Sequence, residues 1–521
     1  MATAPTSSTL TASNGVQYLQ PLGLFIDNDF VPSKSGERVA TFSPHDETKI
    51  AEVHAAGPED VDITVKAARA AFNGPWSRVS AAARGTLLFK LASLLEDHRR
   101  ELATIETWDN GKAISDSLEC VDDSVSVVRY FAGHADKSSG QTFETLPNQH
   151  IFTIREPLGV CGQIVPWNYP LLMTIHKLAP ALAAGNCVVL KAAEQTPLSA
   201  LYLAGLIKQA GFPPGVVNIL NGFGRTCGAA IARHLDVDKV GFTGSTETGK
   251  VLTQLLRGKS PLVIFPDADL KKAVYWGHIG IMASSGQNCT ANSRILVHEA
   301  VYDEFIKLFL AQIGSAKLGN PFDEDTFTGP VVDAVQRDRI VGYIKIGQEE
   351  GATLLTGGRI WPDRPMGKGH YIEPTVFTDV TDDMRICREE IFGPVAVVMK
   401  FSSESEAIRR ANDSIYGLGT AVFTKDVSRL IRVSKALQSG TVWANNSNCT
   451  MDPRVVFGGM KQSGIGKELG QAGFEAYTNV RAVYLEIDEN DDEDRESNSK
   501  TSREFQFKRL SWPWLSLMNA C

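Results

Sequence analysis

The sequence predicts an α/β protein made of two successive units, each with a mostly parallel sheet. From about residue 158, apolar runs of strand length alternate with helical patterns, and the alternation resumes after residue 261. Strands that alternate with helices indicate parallel sheets, because parallel neighbours need a crossover connection. The predicted strands are Cys187–Leu190, Val216–Leu220, Lys239–Phe242, Leu262–Phe265 and Arg294–Val297, and the predicted helices are Leu198–Gln209, 226–234, 268–283 and 300–315.

The region before residue 158 is predicted to be largely helical. Residues 1–20 are rich in Ser, Thr and Ala and are expected to form a flexible leader, and a short strand pair begins at Leu24. A helix begins at Pro58, where apolar residues recur with a period close to 3.6. A second helix covers about 80–110 and ends at the turn residues Asn110 and Gly111.

Composition narrows the class of protein. The 521 residues carry a formal net charge of -8, which makes nucleic acid an unsuitable partner. The eight cysteines are scattered without a CxxC pair, which argues against a metal site and against a disulfide framework. There is no apolar run long enough to cross a bilayer, and residues 1–20 contain no arginine, unlike a mitochondrial presequence. We expect a soluble cytoplasmic protein without a metal.

Residues 488–521 are expected to form a disordered acidic tail. The stretch 486–496 is dominated by aspartate and glutamate and cannot build a core.

Cys289 is the candidate nucleophile. It lies among small and polar residues, three positions after Gly286, which can admit close backbone approach because it lacks a Cβ. A reactive thiol needs access and nearby hydrogen-bond donors or positive charge. The alternative is that Cys289 is a small core hydrophobe, as free cysteines usually are.

A glycine-rich turn at Gly244–Lys250 follows a predicted strand and opens a helix, an arrangement that binds phosphate through backbone N–H groups. It nearly matches the nucleoside-triphosphate loop, but Val251 replaces the hydroxyl residue that binds the metal, so we reject an NTPase. The alternative is a plain strand-to-helix turn. Gly222-Phe223-Gly224 is a second, weaker glycine turn.

Six motifs follow one another between about residue 20 and about residue 487. They are Val165-Pro166-Trp167-Asn168-Tyr169-Pro170, Lys191-Ala192-Ala193-Glu194-Gln195-Thr196-Pro197, Gly241-Phe242-Thr243-Gly244-Ser245-Thr246, Gly286-Gln287-Asn288-Cys289, Glu390-Ile391-Phe392-Gly393-Pro394 and Phe457-Gly458-Gly459 with Lys461-Gln462-Ser463-Gly464. Together they resemble the aldehyde dehydrogenase superfamily, in its NAD(P)-dependent, hydrolytic branch.

The resemblance implies a Rossmann-like cofactor domain (21–138 and 158–258), a second α/β domain that carries the catalytic cysteine (259–465), and a small β oligomerisation arm (139–157 and 478–487). Because such an arm extends a neighbour's sheet in this family, we expect a homodimer or homotetramer.

The resemblance also implies roles for individual residues. Cys289 attacks the aldehyde carbon, and the resulting thiohemiacetal becomes a thioester after hydride transfer. Asn168 and the backbone N–H of Cys289 hold the oxyanion. Glu194 favours NAD over NADP, because a carboxylate suits ribose hydroxyls better than a 2′-phosphate. The other implied cofactor residues are Trp167, Lys191, Gly224, Phe242, Gly244, Ser245, Gly249, Glu390 and Phe392, and the implied aldehyde-tunnel residues are Tyr169, Met173, His176 and Phe457.

The sequence departs from the family at the residue that activates the hydrolytic water. The family has a glutamate in a Glu-Leu-Gly-Gly-Lys-Ser-Pro stretch, whereas here Leu255 stands in its place before Gly258-Lys259-Ser260-Pro261, and roughly a dozen residues are missing. We expect impaired deacylation and a less stable cofactor domain. Glu468 matches a second family glutamate near the water path and is a weak substitute.

Three functions follow. The leading one is NAD-dependent oxidation of an aldehyde to a carboxylic acid. The alternatives are a cofactor-binding pseudoenzyme, favoured by Leu255, and an acylating enzyme that passes the thioester to coenzyme A.

Overall fold

The computed structural model describes residues 5–146, 149–244, 258–449 and 451–487. Within them, residues 5–138 and 156–479 form one compact unit, and 139–155 with 480–487 form a second. Among the described residues, the first unit contains two large sheets flanked by helices, together with three two-stranded sheets. This confirms the predicted α/β class.

The first sheet has six strands and four of them are parallel neighbours. Its two antiparallel strands at one edge come from the N-terminal region. In spatial order the strands are Lys239–Phe242, Val160–Ile164, Cys187–Lys191, Val217–Leu220, Leu24–Ile26 and Asp29–Val31. Strand Cys187–Lys191 is buried along its whole length, as expected for a strand covered on both faces.

The second sheet has seven strands, all parallel except the edge strand Thr353–Thr356. In order they are Thr353–Thr356, Thr375–Thr378, Val395–Phe401, Arg294–His298, Pro261–Ile264, Gly419–Phe423 and Thr441–Ala444. Strand Pro261–Ile264 starts at the motif that follows Leu255 and lies inside this sheet, between Arg294–His298 and Gly419–Phe423.

Helices cover the faces of both sheets. The longer ones are Pro58–Asn73, Ala81–Asp97, Arg99–Asn110, Ile114–His134, Pro170–Ala184, Leu198–Ala210, Leu270–Met282, Tyr302–Ser315, Ala334–Glu349, Glu404–Asn412 and Val427–Ala436. Short helices are Ala229–Arg233, Arg385–Arg388 and Gly470–Glu475. The helix predicted over 80–110 is interrupted at His98, whose φ of -98° and ψ of 22° leave the helical region.

The prediction of a flexible leader is wrong for most of its length. Ser7–Thr11 and Gln17–Pro21 pair as an antiparallel hairpin. The turn contains Asn14-Gly15, with Gly15 at a φ of +80°, and Asn-Gly is a strong hairpin signal that the composition concealed. Tyr18 and Gln20 point from alternate positions of the second strand into buried surroundings, which fixes the hairpin to the unit.

The second unit is a small sheet. Strands Thr142–Phe143, Gln149–Pro157 and Thr478–Glu486 lie side by side, with Gln149–Pro157 in the centre. Val480, Tyr484 and Leu485 of the outer strand are exposed. These strands fall within the ranges predicted for the arm, and the arm's role in oligomerisation stays a prediction.

Several sequence predictions lie outside the described residues: the helix at 245–256, Ser245, Gly249, Leu255 and the tail 488–521. A search of the described helices found none that is both long and apolar enough to cross a membrane.

Candidate active site

A cavity of about 550 Å³ brings together residues from distant parts of the chain. Of the predicted site residues, it is lined by Trp167, Asn168, Tyr169, Met173, Gly244, Cys289, Phe392 and Phe457. Lys191, Glu194 and Gly224 form a separate cluster at the end of the first sheet. Phe242, His176 and Glu468 line a different, smaller pocket that is described below.

The loop that carries Cys289 has an unusual backbone. Ser284 and Ser285 have positive φ angles of 51° and 55°, which is uncommon outside glycine. Gly286 follows at +70°, and a Cβ there would lie 2.1 Å from the carbonyl oxygen of Gly393. The missing Cβ at Gly286 therefore allows another loop of the protein to approach, while the predicted approach to a ligand stays a prediction.

Cys289 is partly exposed to the cavity, whereas its thiol is enclosed by protein on the other sides. Burial, with a smaller contribution from the nearby carboxylate of Glu390, raises the pKa of the thiol to about 12. Its Sγ lies 3.7 Å from Oδ1 of Asn288, a contact of weak hydrogen-bond character. The thiol is therefore protonated at neutral pH in this arrangement, and reaction requires a base or a cation that lowers the pKa.

Asn168 is positioned to donate a hydrogen bond into the cavity. Its Nδ2 donates to the carbonyl oxygen of Gln287 at 2.8 Å, two residues before the cysteine. An amide nitrogen carries two hydrogens, so one remains for an oxyanion. The preceding residue is held as well, because Nδ2 of Asn110 donates to the carbonyl oxygen of Trp167 at 2.8 Å.

Trp167 and Phe392 meet edge to face, with ring centroids 5.3 Å apart. Phe392 has a φ of +63°, a strained value for a bulky residue, and its carbonyl oxygen accepts a hydrogen bond from Gln336 at 2.7 Å. The buried carboxylate of Glu390 accepts a hydrogen bond from the backbone N–H of Gly258 at 3.2 Å. These contacts tie the Glu390–Phe392 loop to the chain that follows residue 257.

Lys191 and Glu194 lie at the carboxyl end of a parallel strand, where α/β folds bind nucleotides. Nζ of Lys191 donates to Oε2 of Glu194 at 2.6 Å, and the backbone N–H of Gly224 approaches Oε1 at 3.5 Å. Burial raises the pKa of Glu194, but Lys191 and these hydrogen bonds outweigh it and leave the pKa below its ordinary value. A Cβ at Gly224 would meet no atom within 4 Å, so open space lies beside the carboxylate. An ionised carboxylate, an ammonium group and open space fit the ribose of a dinucleotide.

The aldehyde side of the cavity is formed by the start of helix Pro170–Ala184. Tyr169 precedes this helix and Met173 lies on its first turn. Nζ of Lys112 lies 4.0 Å from the centroid of the Tyr169 ring and forms a fully buried ion pair with Glu106 at 2.7 Å. The ion pair therefore contacts the Tyr169 ring and helps to hold it in place.

One helix that lines the cavity was not identified by the sequence predictions. Ser115, Asp116, Glu119, Cys120 and Asp123 of helix Ile114–His134 all line the cavity. Their spacing of three and four residues is that of one helical face, which is the signal that could have identified them. Burial raises the pKa of Asp116 and of Asp123 to about 6.

His176 and Glu468 line a second pocket that shares Phe457 with the thiol cavity. This pocket has a volume of about 50 Å³, and His176 does not line the main cavity, so its place in the aldehyde tunnel stays a prediction. Lys177, the next residue, forms an ion pair with Oε1 of Glu468. Burial raises the pKa of Glu468, but Lys177 and His176 outweigh it and lower the pKa to about 2. A carboxylate held in this way is a weak base.

Comparisons with known proteins agree with this arrangement. A sequence model of the aldehyde dehydrogenase family matches residues 30–483. An aldehyde dehydrogenase of Emericella nidulans is 51% identical over 484 residues, which cover 91% of this chain and 96% of that protein. Aldehyde dehydrogenase 1A1 of Ovis aries is 48% identical, with 89% of this chain and 95% of that protein covered.

Solved structures give the same result. The NAD+ complex of an aldehyde dehydrogenase from Bacillus cereus superposes with a TM-score of 0.88 at 45% identity, and the match covers 90% of this chain and 97% of that one. The match therefore extends over most of this chain. The chain therefore belongs to the aldehyde dehydrogenase family and is an NAD(P)-dependent aldehyde dehydrogenase.

Proposed function

We propose that the enzyme oxidises an aldehyde to a carboxylic acid with NAD, through a thiohemiacetal and then a thioester on Cys289. The observation that carries this proposal is that the thiol of Cys289 and the amide of Asn168 line one cavity with the Trp167–Phe392 pair. A nucleophile, an oxyanion donor and an aromatic cleft beside them match the needs of aldehyde oxidation.

The chain's own residues divide the work of acylation. Cys289 adds to the aldehyde carbon, and its proton must leave the enclosed site because the thiol is the form favoured by burial. Asn168 donates its second amide hydrogen to the developing oxyanion. Trp167 and Phe392 exclude water from the face where the cofactor binds. When bound, the nicotinamide supplies the hydride acceptor.

The preference for NAD rests on Glu194. Its ionised carboxylate would accept hydrogen bonds from the ribose hydroxyls, whereas a 2′-phosphate would bring a second negative charge against it. Lys191, already paired with Glu194, orients that carboxylate.

The proposal also covers the assembly of the enzyme and its location in the cell. The exposed apolar residues Val480, Tyr484 and Leu485 on the edge strand of the arm favour a homodimer or homotetramer built by sheet extension. The seven cysteines that the structure describes are unpaired, which suits the reducing cytoplasm. Light scattering on the purified protein tests the assembly.

Rapid-mixing kinetics with NAD and an aldehyde, followed through NADH, test the catalytic proposal. We expect a burst of NADH close to one equivalent per site, which Cys289→Ala abolishes because no thioester forms. A protein that binds NAD yet forms no NADH would instead be the cofactor-binding pseudoenzyme. If coenzyme A raises the slow rate of NADH production after the burst, and other small nucleophiles do not, the protein is the acylating enzyme.

A further inference from the structure

The small pocket beside the main cavity has the character of a water site. We call it the His176 pocket; it is lined by His176, Phe242, Phe457, Lys467, Glu468 and Tyr477, together with Lys239 and Gly466. Its volume of about 50 Å³ is enough for water, and its polar groups supply hydrogen-bond partners. Gly466 is exposed and Lys467 partly so, which puts the pocket next to bulk solvent.

His176 lines this pocket and lies beside Glu468. The residue is 1% exposed, and its Nδ1 has no hydrogen-bond partner among the described residues. Oε2 of Glu468, which likewise lacks a partner there, lies 3.6 Å away. The other oxygen of Glu468 is taken by Lys177. A separation of 3.6 Å leaves no room for a water between the two atoms, so Nδ1 of His176 faces Glu468 directly and the carboxylate orients the ring. When Nδ1 donates to Glu468, Nε2 is the nitrogen that can accept a proton from a water in the pocket.

The His176 pocket is close to the reacting thiol. Phe457 lines both this pocket and the cavity that contains Cys289. Thr243 lines the main cavity and accepts a hydrogen bond at 2.6 Å from Lys177, which also binds Glu468. The charge of Glu468 is near enough to raise the pKa of Cys289. Water and protons therefore have a short route between the two spaces.

Two carboxylates near the cavity, those of Glu468 and Asp116, are poorer bases for hydrolysis. Glu468 is held by Lys177 as a fully ionised, weakly basic carboxylate. Asp116 lines the main cavity, but its Oδ2 already accepts a hydrogen bond from the backbone N–H of Ser284 at 3.1 Å. A neutral imidazole beside a carboxylate is a common arrangement for a general base.

We propose that His176, oriented by Glu468, activates the water that hydrolyses the Cys289 thioester in place of the glutamate that this sequence lacks at Leu255. The inference rests on the proposed thioester on Cys289. His176 accepts a proton from water as the water oxygen bonds to the thioester carbon. The carbon–sulfur bond then breaks, the carboxylic acid leaves, and the proton returns from the imidazolium to the Cys289 thiolate.

The test uses the full-length enzyme and compares His176→Gln with the parent in rapid-mixing kinetics. The burst of NADH should remain, while the steady rate after it should fall by about 10²–10⁴-fold, the usual effect of removing a general base. Mass spectrometry should then find the acyl group on Cys289. Hydroxylamine, a nucleophile that needs little base assistance, should restore steady NADH production in the variant.

His370→Gln is the matched control. His370 is also buried, its Nδ1 is also without a partner among the described residues, and it lies 3.9 Å from a glutamate oxygen, but it lines neither space. It should keep both the burst and the steady rate. His176→Asn, tested alongside, guards against a variant that folds badly, and NAD binding reports folding for both.

The outcomes separate the two proposals. An unchanged steady rate in folded His176→Gln, or a slow variant that hydroxylamine does not rescue, would overturn the role of His176 while leaving the thioester intact. A parent enzyme that forms no NADH would overturn the proposed function itself. A steady rate whose decline towards acid pH disappears in His176→Gln would support the histidine as the base.

Discussion

Two lysine–glutamate pairs in this enzyme share one chemistry and have opposite surroundings. The Lys112–Glu106 pair, at 2.7 Å, is fully enclosed beneath Tyr169. The Lys191–Glu194 pair, at 2.6 Å, ends a strand of the first sheet, and the Glu194 side chain is 31% exposed. Removing one member of a fully buried ion pair is strongly destabilising, because water cannot solvate the charge that remains. In a partly exposed pair, water or a ligand can replace the missing partner. The first pair therefore supports the site, and the second is available for binding.

The largest expected effect is on stability. Lys112→Met should lower the free energy of unfolding by about 3–5 kcal/mol, because it leaves Glu106 buried without its partner. Urea unfolding followed by circular dichroism measures the loss. Lys191→Met is the matched control and should cost about 0–1 kcal/mol, since water can reach Glu194. Equal losses in the two variants would break the distinction between a sealed and an open pair.

The next effect is on cofactor binding. Glu194→Gln should weaken NAD binding by about 10- to 100-fold, the value of one or two hydrogen bonds to a charged acceptor. Binding of NADP should suffer less, because the variant removes a repelling charge. Titration calorimetry with both cofactors measures the ratio. If the ratio of the two affinities stays constant, Glu194 is not the residue that selects NAD.

The smallest effect concerns pH. The pKa of Glu194 in the folded enzyme lies below its ordinary value of 4.5. Its contribution to stability is therefore complete above pH 4.5 and is lost as the pH falls through the lower folded pKa. For a partly exposed pair this contribution is about 0–1 kcal/mol. The difference in unfolding midpoint between the parent and Glu194→Gln should shrink on acidification, and a difference that grows would contradict the assignment.

The sheets were predictable because their signals are local. Lys239–Phe242 was predicted with the bounds that the structure shows, and the other predicted strands shift by one residue at one end or, for Leu262–Phe265, at both ends. Apolar runs followed by glycine carry that information in a few residues. The N-terminal hairpin was missed because its composition suggested disorder, although Asn14-Gly15 marked the turn.

Site residues inside the family motifs were predictable from the sequence, whereas those outside the motifs were not. Cys289, Asn168 and the Trp167–Phe392 pair come together in the cavity, as the motifs imply. The wall formed by Asp116, Glu119 and Asp123 was missed, because no motif marks it and it depends on how one helix packs. His176 lines the smaller pocket, whereas Met173 of the same helix lines the main cavity, because positions on a buried helix face different spaces and only the packing decides which.

The contact between Gly286 and Gly393 has a consequence for engineering. A side chain at Gly286 would meet the backbone of Gly393, and Gly393 itself is packed against Ile340, so neither position tolerates bulk. The loop that carries Cys289 is thus packed directly against the residue that follows the Glu390–Phe392 loop. Most variants in a mutant library directed at either loop would be inactive. Ser115 and Glu119 are exposed and still reach the cavity. Changes of aldehyde preference are most accessible there, where the enzyme can vary its surface without moving its nucleophile.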